Sequence, residues 1–161
     1  MTHTELTHYA ERWLRSLGCG FVFRELVSYA SEIPDAVGFT SGHSILVECK
    51  VSRADFLRDK KKWFRRAGNG IGQYRYYACP TGLILPSELP ERWGLVYFDE
   101  RGRATCQVNK TKRGHVRPRE WRHEHDYDQE RALFYTALRR IELRGLMPTI
   151  YDQPWKQPNS R

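Results

Sequence analysis

A chain of 161 residues, 40% hydrophobic and 29% charged, has the size and composition of one globular domain and is too short to expect two. Its mean hydropathy of −0.71 and the lack of an apolar run near the ~20 residues that span a bilayer exclude a transmembrane helix. The 27 Lys and Arg outnumber the 19 Asp and Glu by a net charge of +8, which favours a polyanionic partner. Because the N-terminus has no signal-peptide pattern, we expect a cytoplasmic protein without a membrane partner.

Alternating helix and strand patterns predict an α/β domain with a central mixed β-sheet flanked by helices. The predicted helices are residues 4–17, 53–66 and 127–144, and the predicted strands are residues 21–29, 35–39, 44–51, 73–78 and 95–98. Over residues 4–80 the order is therefore helix, three strands, helix, strand. We expect a single domain over residues 1–147, followed by an irregular, proline-containing tail over residues 148–161.

The third predicted strand carries two charged residues on one face. Side chains alternate between the two faces of a strand, so Ile45, Val47 and Cys49 point one way. This apolar set predicts the core face. Glu48 and Lys50 then share the opposite face, roughly 6–7 Å apart along the strand.

A carboxylate on the second predicted strand is expected opposite Glu48. If a tight turn is centred on residues 41–42, the two strands pair so that Asp35 faces Glu48. The Cβ atoms of such a pair lie roughly 4.5–5.5 Å apart. Two like charges at that distance repel unless something neutralises them. A hard divalent cation does so, because Mg²⁺ prefers carboxylate oxygens as ligands.

This arrangement suits the hydrolysis of phosphodiester bonds. A Mg²⁺ or Mn²⁺ ion held by Asp35 and Glu48 lowers the pKa of a bound water and stabilises charge on phosphate oxygens. Lys50 is placed to orient the attacking water or to offset charge in the transition state. The backbone carbonyl of Cys49 is a candidate third metal ligand. The alternative is that Glu48 and Lys50 form an ordinary ion pair on an exposed sheet.

The residues Pro34-Asp35, twelve intervening positions and Glu48-Cys49-Lys50 resemble the motif of the PD-(D/E)XK nuclease superfamily. The predicted element order also resembles the αβββαβ core of these restriction-endonuclease-like proteins. The run Val47-Glu-Cys-Lys-Val-Ser-Arg-Ala-Asp-Phe-Leu57 is similar to the MmcB-type bacterial DNA-repair proteins of that superfamily. The resemblance implies Mg²⁺-dependent cleavage of DNA, with Asp35 and Glu48 as metal ligands and Lys50 in the catalytic role.

Three further groups are candidate site residues, each with a structural alternative. Glu25 is the one polar residue on an apolar strand face, so it is either an accessory metal ligand or a salt-bridged structural residue. Gln73 belongs to a QxxxY pattern found in some nuclease relatives, which makes it a candidate active-site residue, although its surroundings predict a strand rather than a helix. His123 and His125 are candidate zinc ligands together with their acidic neighbours, and the alternative is that the acidic residues cap the last helix.

Two basic stretches, residues 50–66 and 101–122, are predicted to hold the phosphate backbone of DNA with little dependence on sequence. The predicted contacts are Arg53, Arg58, Lys61, Lys62, Arg65, Arg66, Lys110, Lys112 and Arg113. Two other functions stay open, an RNA-processing nuclease and a catalytically inactive DNA-binding module on the same fold. Cutting both strands with one active site per chain would favour a homodimer.

Overall fold

The computed structural model of the chain describes residues 1–59, 62, 69–110 and 118–152. Within these residues the helices are α1 (His3–Ser16), α2 (Arg53–Asp59) and α3 (Tyr127–Leu143), with short 3-10 helices at Pro86–Glu88, Arg119–Trp121 and Met147–Tyr151. The strands are β1 (Phe21–Arg24), β2 (Ala36–Phe39), β3 (Ser44–Cys49), β4 (Tyr74–Pro80), β5 (Trp93–Phe98) and β6 (Ala104–Val108). They form one sheet in chain order, and the predicted α/β class is confirmed.

The sheet is mixed, with antiparallel strands at both sides of a parallel centre. β1, β2 and β3 pair antiparallel, β3, β4 and β5 pair parallel, and β6 returns antiparallel to β5. A hairpin joins β2 to β3, and the Thr40 N–H donates to the His43 carbonyl at 2.9 Å across the predicted turn. The carboxyl ends of the three parallel strands therefore share one edge of the sheet, with the end of β3 next to the start of β2.

Hydrophobic cores lie on both faces of the sheet. Leu6 of α1 and Val47 of β3 belong to the core on one face. Phe56 of α2 and Leu133 of α3 belong to the core on the other face, together with Leu46 of β3. Every residue of β3 is buried. The face that carries Glu48 is therefore covered as well, as is typical of a central strand with parallel pairing.

Side-chain caps define where α1 and α2 begin. The Glu5 N–H donates to Thr2 Oγ1 at 3.2 Å, and the Thr2 N–H donates to Glu5 Oε2 at 2.6 Å, which completes a capping box. This cap starts α1 at His3, whose imidazole reaches the carboxyl end of β3. Ser52 Oγ accepts a hydrogen bond from the Asp55 N–H at 3.2 Å, and α2 thus starts directly after β3.

The predicted strand over residues 21–29 is too long, because β1 ends at Arg24. Glu25 has a φ of 47°, in the left-handed region that interrupts an extended backbone. The apolar alternation that continues through Val27 and Tyr29 belongs to an exposed segment, in which the two side chains are 59% and 86% exposed. Alternation alone therefore overstated the strand.

Most other predicted boundaries agree with the structure to within a few residues. β6 was not predicted, because residues 101–110 were interpreted only as a basic stretch. The predicted helix over residues 53–66 is present up to Asp59, and most of its remainder lies outside the described residues. The predicted tail starts within the 3-10 helix Met147–Tyr151, and residues 153–161 lie outside the described part. None of the helices in the described ranges has the length and apolar character needed to cross a membrane.

Candidate functional site

The register of β2 and β3 brings Asp35 and Glu48 together, as the predicted turn requires. The ladder pairs Ala36 with Val47, and the next pair outward in the same register is Asp35 with Glu48. Asp35 Oδ2 accepts a hydrogen bond from the Cys49 N–H at 2.7 Å. This bond ties the Asp35 carboxylate to the end of β3, beside Glu48.

The Asp35 carboxyl is mostly buried next to a second carboxylate. Burial and the charge of Glu48 raise the pKa of Asp35 from 3.8 to about 6, although Lys50, the Cys49 N–H and His3 act in the opposite direction. His3 Nε2 lies 3.2 Å from Asp35 Oδ1. Asp35 therefore holds a proton over a pH range in which an exposed aspartate is ionised, unless a cation takes the place of that proton.

Lys50 is a buried cation among carboxylates. Its Nζ lies 3.1 Å from Glu48 Oε2, 3.3 Å from Asp59 Oδ1 and 3.9 Å from Asp55 Oδ2. The side chains of Lys50 and Glu48 are only 4% and 3% exposed, so their ion pair does not lie on an exposed sheet. Burial alone would lower the pKa of Lys50, but Glu48, Asp59, Asp35 and Asp55 together raise it above its usual range. Lys50 is consequently a permanent positive charge at neutral pH.

Asp59 belongs to this cluster and was not predicted from the sequence. It follows Phe56 by three residues on α2, and this spacing places both side chains on the same, buried face of the helix. Asp59 Oδ2 accepts a hydrogen bond from the Tyr77 hydroxyl at 2.8 Å, and Lys62 Nζ lies 2.9 Å from Asp59 Oδ1. The signal in the sequence was the helical spacing, because a carboxylate on the Phe56 face must be buried with partners.

The oxygen atoms at this end of β3 have the chemistry of ligands for a hard divalent cation. Asp35 and Glu48 supply carboxylates. The N–H and C=O groups of one strand residue point to the same side, so the Cys49 carbonyl faces the side on which its N–H binds Asp35. Over the described residues, no group of three His, Cys, Asp or Glu side chains is placed to hold a metal ion. Mg²⁺ is commonly bound through one or two carboxylates and several waters, so two carboxylates and a carbonyl fit its requirements.

Glu25 lies at the margin of this cluster. Its Oε1 is 3.6 Å from His3 Nδ1, and the other ring nitrogen of His3 is the one that approaches Asp35. The imidazole thus bridges the two carboxylates. Glu25 directly follows β1, and its side chain is 47% exposed. The contact observed is that of its salt-bridged alternative.

Gln73 does not lie in this cluster. It directly precedes β4, whereas Glu48 pairs with Tyr77, roughly 13 Å further along the strand at the usual rise per residue. The Gln73 side chain is buried, and its Nε2 lies 3.4 Å from His125 Nε2. The QxxxY pattern therefore runs from the residue before β4 to the middle of that strand and does not place Gln73 with the carboxylates.

The acidic segment before α3 caps this helix, which is one of the two roles considered for it from the sequence. Asp126 Oδ1 accepts hydrogen bonds from the N–H groups of Asp128 and Gln129 at 2.9 and 3.3 Å. His125 Nε2 lies 3.6 Å from Glu130 Oε2. The capping interpretation is confirmed, and the imidazole of His125 contacts a side chain of the helix that this cap begins.

The predicted DNA contacts are only partly described. Arg53 forms a bidentate ion pair with Glu88. Arg58 and Lys62 form ion pairs with acidic residues of α2. Lys110 is exposed. Five predicted contacts lie outside the described residues, namely Lys61, Arg65, Arg66, Lys112 and Arg113. Arg53, Arg58 and Lys62 therefore have internal partners as well as solvent exposure.

No protein-family model matches the chain, and no curated protein sequence is significantly similar to it. Among solved structures, the fold is similar to that of SPO1766, a protein of unknown function from Silicibacter pomeroyi, with a TM-score of 0.57. The two sequences are 23% identical, and the match covers 89% of this chain and 92% of that chain. This similarity supports the fold over nearly the whole of both chains and does not assign a function.

Proposed function

We propose that this protein is a metal-dependent deoxyribonuclease that hydrolyses phosphodiester bonds of DNA in repair, recombination or processing. The observation that carries the proposal is the position of Asp35 opposite Glu48 beside the buried Lys50. The resemblance of these residues to the PD-(D/E)XK motif supports the same function. The net charge of +8 supports a polyanionic substrate.

The residues that would hold Mg²⁺ or Mn²⁺ are Asp35, Glu48 and the carbonyl of Cys49. When bound there, such a cation supplies an acidic water and neutralises charge on phosphate oxygens. Asp35 must release its proton to become a ligand. Because its pKa is raised to about 6, metal affinity should increase as the pH rises through that value.

Lys50 would act on the same group of atoms. Its ammonium has three N–H donors, and Glu48 and Asp59 accept two of them among the described residues. The third is available to orient the attacking water or to bind a phosphate oxygen whose charge grows in the transition state. Asp59 and the Tyr77 hydroxyl behind it would fix the direction of this ammonium.

A catalytically inactive DNA-binding module is a second candidate, and one observation favours it. Lys50 is buried and forms close ion pairs with Glu48 and Asp59. A lysine with these contacts can act as the counter-charge of two buried carboxylates without taking part in catalysis. This function predicts DNA binding that does not depend on a divalent metal, and no cleavage.

Cleavage assays distinguish the two functions. Labelled linear, circular and branched DNA, and RNA of matching sequence, are incubated with Mg²⁺, Mn²⁺ or EDTA. The variants Asp35→Asn, Glu48→Gln and Lys50→Met change charge with little change of shape. Arg139→Gln, at an exposed position of α3, controls for the loss of one charge.

A nuclease cuts DNA only with metal, and the three site variants still bind DNA but do not cut it, while Arg139→Gln cuts normally. Cleavage of RNA in preference to DNA would reassign the substrate. If wild type and all variants bind DNA equally and none cuts with either metal, the nuclease proposal is wrong and the binding module remains.

A further inference from the structure

A pocket lies at the edge of the sheet opposite the Asp35–Glu48 cluster, and we name it the arginine pocket. Its volume is about 440 Å³, and its lining includes Arg92, Arg119, Arg122, His123, His125 and Tyr127. Arg92 directly precedes β5, and the His123 N–H donates at 2.7 Å to the carbonyl of Gln73, which directly precedes β4. The pocket therefore lies at the amino ends of the parallel strands, whereas Glu48 and Lys50 lie at the carboxyl end of β3.

The lining of the arginine pocket is strongly basic. Among its seven residues, three guanidinium groups face a single carboxylate, that of Glu124. Arg119 and Arg122 form no ion pair with any residue of the described ranges, and Arg92 approaches the exposed Glu91 only at 4.0 Å. Arginines without carboxylate partners keep their N–H donors for an external anion.

A fourth guanidinium lies directly behind this lining. Arg75 is fully buried and donates hydrogen bonds to the carbonyls of Gly72 at 3.0 Å and Glu124 at 3.3 Å. Burial, together with the positive charges of Arg75 and Arg92, lowers the pKa of His123 to about 4. His123 is thus neutral at physiological pH, and the positive charge of the region comes from the arginines.

Internal contacts hold the pocket in shape. Arg92 Nη1 donates to the Arg122 carbonyl at 3.0 Å, and His123 Nε2 lies 3.0 Å from the Arg92 carbonyl. Arg92 has a φ of 62°, a left-handed conformation that is uncommon outside glycine and asparagine. Such backbone conformations persist where the surroundings impose them, and they are frequent at ligand sites. The backbone around Arg92, Arg122 and His123 is thus fixed by these contacts, and this part of the lining loses little freedom when a ligand binds.

We propose that the arginine pocket binds a phosphate monoester. Guanidinium groups match phosphate oxygens with pairs of parallel N–H donors. A phosphate monoester carries up to two negative charges, one more than a backbone phosphodiester, and so suits three neighbouring guanidinium groups with one carboxylate among them. The pocket also falls within the ~300–1,000 Å³ range of small-ligand sites, which leaves room for a nucleoside. Tyr127 is 68% exposed, with its ring centroid 4.2 Å from that of His125, and so presents a flat surface to a base.

A phosphate monoester occurs both in a free nucleotide and at the 5′-phosphorylated end of a nucleic-acid strand. Calorimetric titrations at constant ionic strength compare inorganic phosphate, adenosine 5′-monophosphate, adenosine, and a short DNA single strand with and without its 5′-phosphate. All titrations contain EDTA, so the result does not depend on the proposed nuclease activity. The double variant Arg119→Gln/Arg122→Gln is compared with Arg139→Gln/Arg144→Gln, which removes the same charge from exposed positions outside the pocket and outside both basic stretches.

We expect the monophosphate to bind, adenosine to bind at least about tenfold more weakly, and the pocket variant to lose about tenfold or more in affinity, since hydrogen bonds to charged groups contribute on that scale. The control variant should change affinity by no more than about twofold. A strand that binds more tightly than the nucleotide, and only with its 5′-phosphate, identifies a nucleic-acid end as the ligand. If the nucleotide binds as tightly as the 5′-phosphorylated strand, the rest of the strand adds no contact, and the ligand is a free nucleotide.

Three results would overturn the proposal. The first is an equal loss of affinity in the pocket and control variants, which would mean that net charge alone attracts the probes. The second is equal affinity for adenosine and its monophosphate. The third is a titration of wild type with inorganic phosphate in which the NMR signals of the Arg122 guanidinium and the His125 ring do not move. This last measurement needs no variant and is therefore independent of any effect of substitution on folding.

Discussion

The two edges of the parallel strands handle charge in opposite ways. At the carboxyl end of β3, Lys50 is buried between Glu48 and Asp59, and each charge faces an opposite one. At the amino ends of β4 and β5, Arg119 and Arg122 are exposed and have no ion pair within the described residues. Buried charges must be balanced inside the protein, whereas exposed like charges are tolerated because water and salt screen them. The charges at the carboxyl end of β3 therefore stabilise the fold, whereas the arginines at the amino ends of β4 and β5 are accessible to a ligand.

The largest effect should come from removing the buried cation. Lys50→Met removes the buried cation that pairs with both Glu48 and Asp59 and leaves only the half-exposed Lys62 beside Asp59. We expect the free energy of unfolding to fall by about 3–5 kcal/mol. Urea denaturation measures this change. Lys62→Met is the matched control, because Lys62 also approaches Asp59 but is half-exposed, and it should cost less than about 1 kcal/mol. If the free energy of unfolding falls by a similar small amount in both variants, the buried ion pairs of Lys50 do not stabilise the fold as expected.

The next largest effect is expected on the pH dependence of the free energy of unfolding. The pKa of Asp35 is raised from 3.8 to about 6 in the folded protein. The folded state therefore binds this proton more tightly than the unfolded state, so the contribution of Asp35 to stability is present below about pH 4 and is lost as the pH rises through about 6. Relative to Asp35→Asn, wild type should lose on the order of 2 kcal/mol over this range.

Denaturation of wild type and Asp35→Asn across this pH range tests that prediction, and parallel stability curves would contradict it. Glu48→Gln sharpens the measurement. Without the neighbouring negative charge, the pKa of Asp35, followed by its carboxyl NMR signal, should move down toward its usual value. Added Mg²⁺ should move it in the same direction in wild type if the two carboxylates hold the ion.

A smaller loss is expected when one hydrogen bond of the buried cluster is removed. Tyr77→Phe deletes the hydroxyl that donates to Asp59 Oδ2 at 2.8 Å, and it should lower the free energy of unfolding by about 1–2 kcal/mol. The exposed Tyr135 supplies the control, since Tyr135→Phe should change stability by less than about 0.5 kcal/mol. Thermal and urea unfolding of both variants would show whether the two losses differ.

The smallest effect on stability is expected at the other edge. Arg119→Gln/Arg122→Gln removes two exposed charges that have no ion-pair partner in the described residues, so the free energy of unfolding should stay within about 0.5 kcal/mol of wild type. Urea denaturation at low and high salt measures it. A large destabilisation would mean that the arginine pocket is part of the fold, and the contrast between the two edges would disappear.

The pairing of Asp35 with Glu48 could be predicted because it depends on local rules. A short turn fixes the register of a hairpin, and the period of two assigns every side chain to a face. Glu25 shows where the rule of alternation fails. The apolar and polar residues continue to alternate through this position, but the left-handed backbone conformation of Glu25 ends β1 there. Asp59 was missed although its spacing from Phe56 follows the helical period, because helix α2 was interpreted as a basic surface.

The arginine pocket could not be predicted from the pattern of any one element. It joins Arg92, before β5, to residues 119–127, and only the order of the strands brings these segments together. Gln73 also shows that the pairing of strands decides which residues share a site. Its sequence pattern grouped it with the nuclease motif, but the parallel pairing of β3 with β4 separates it from Glu48.

The connection of β2 to β3 by a tight hairpin also has a consequence for the order of events in folding. A hairpin of neighbouring residues closes in roughly 1–10 μs, so Asp35 and Glu48 can meet while the rest of the sheet is unformed. Pairing of β4 alongside β3 requires closure of a longer loop and is a slower step. In a hairpin without β4 beside it, water would screen the two carboxylates, and the pKa of Asp35 would stay near its usual value. The raised pKa would then be a property of the closed sheet, and following the protonation of Asp35 during refolding would report when the centre of the sheet closes.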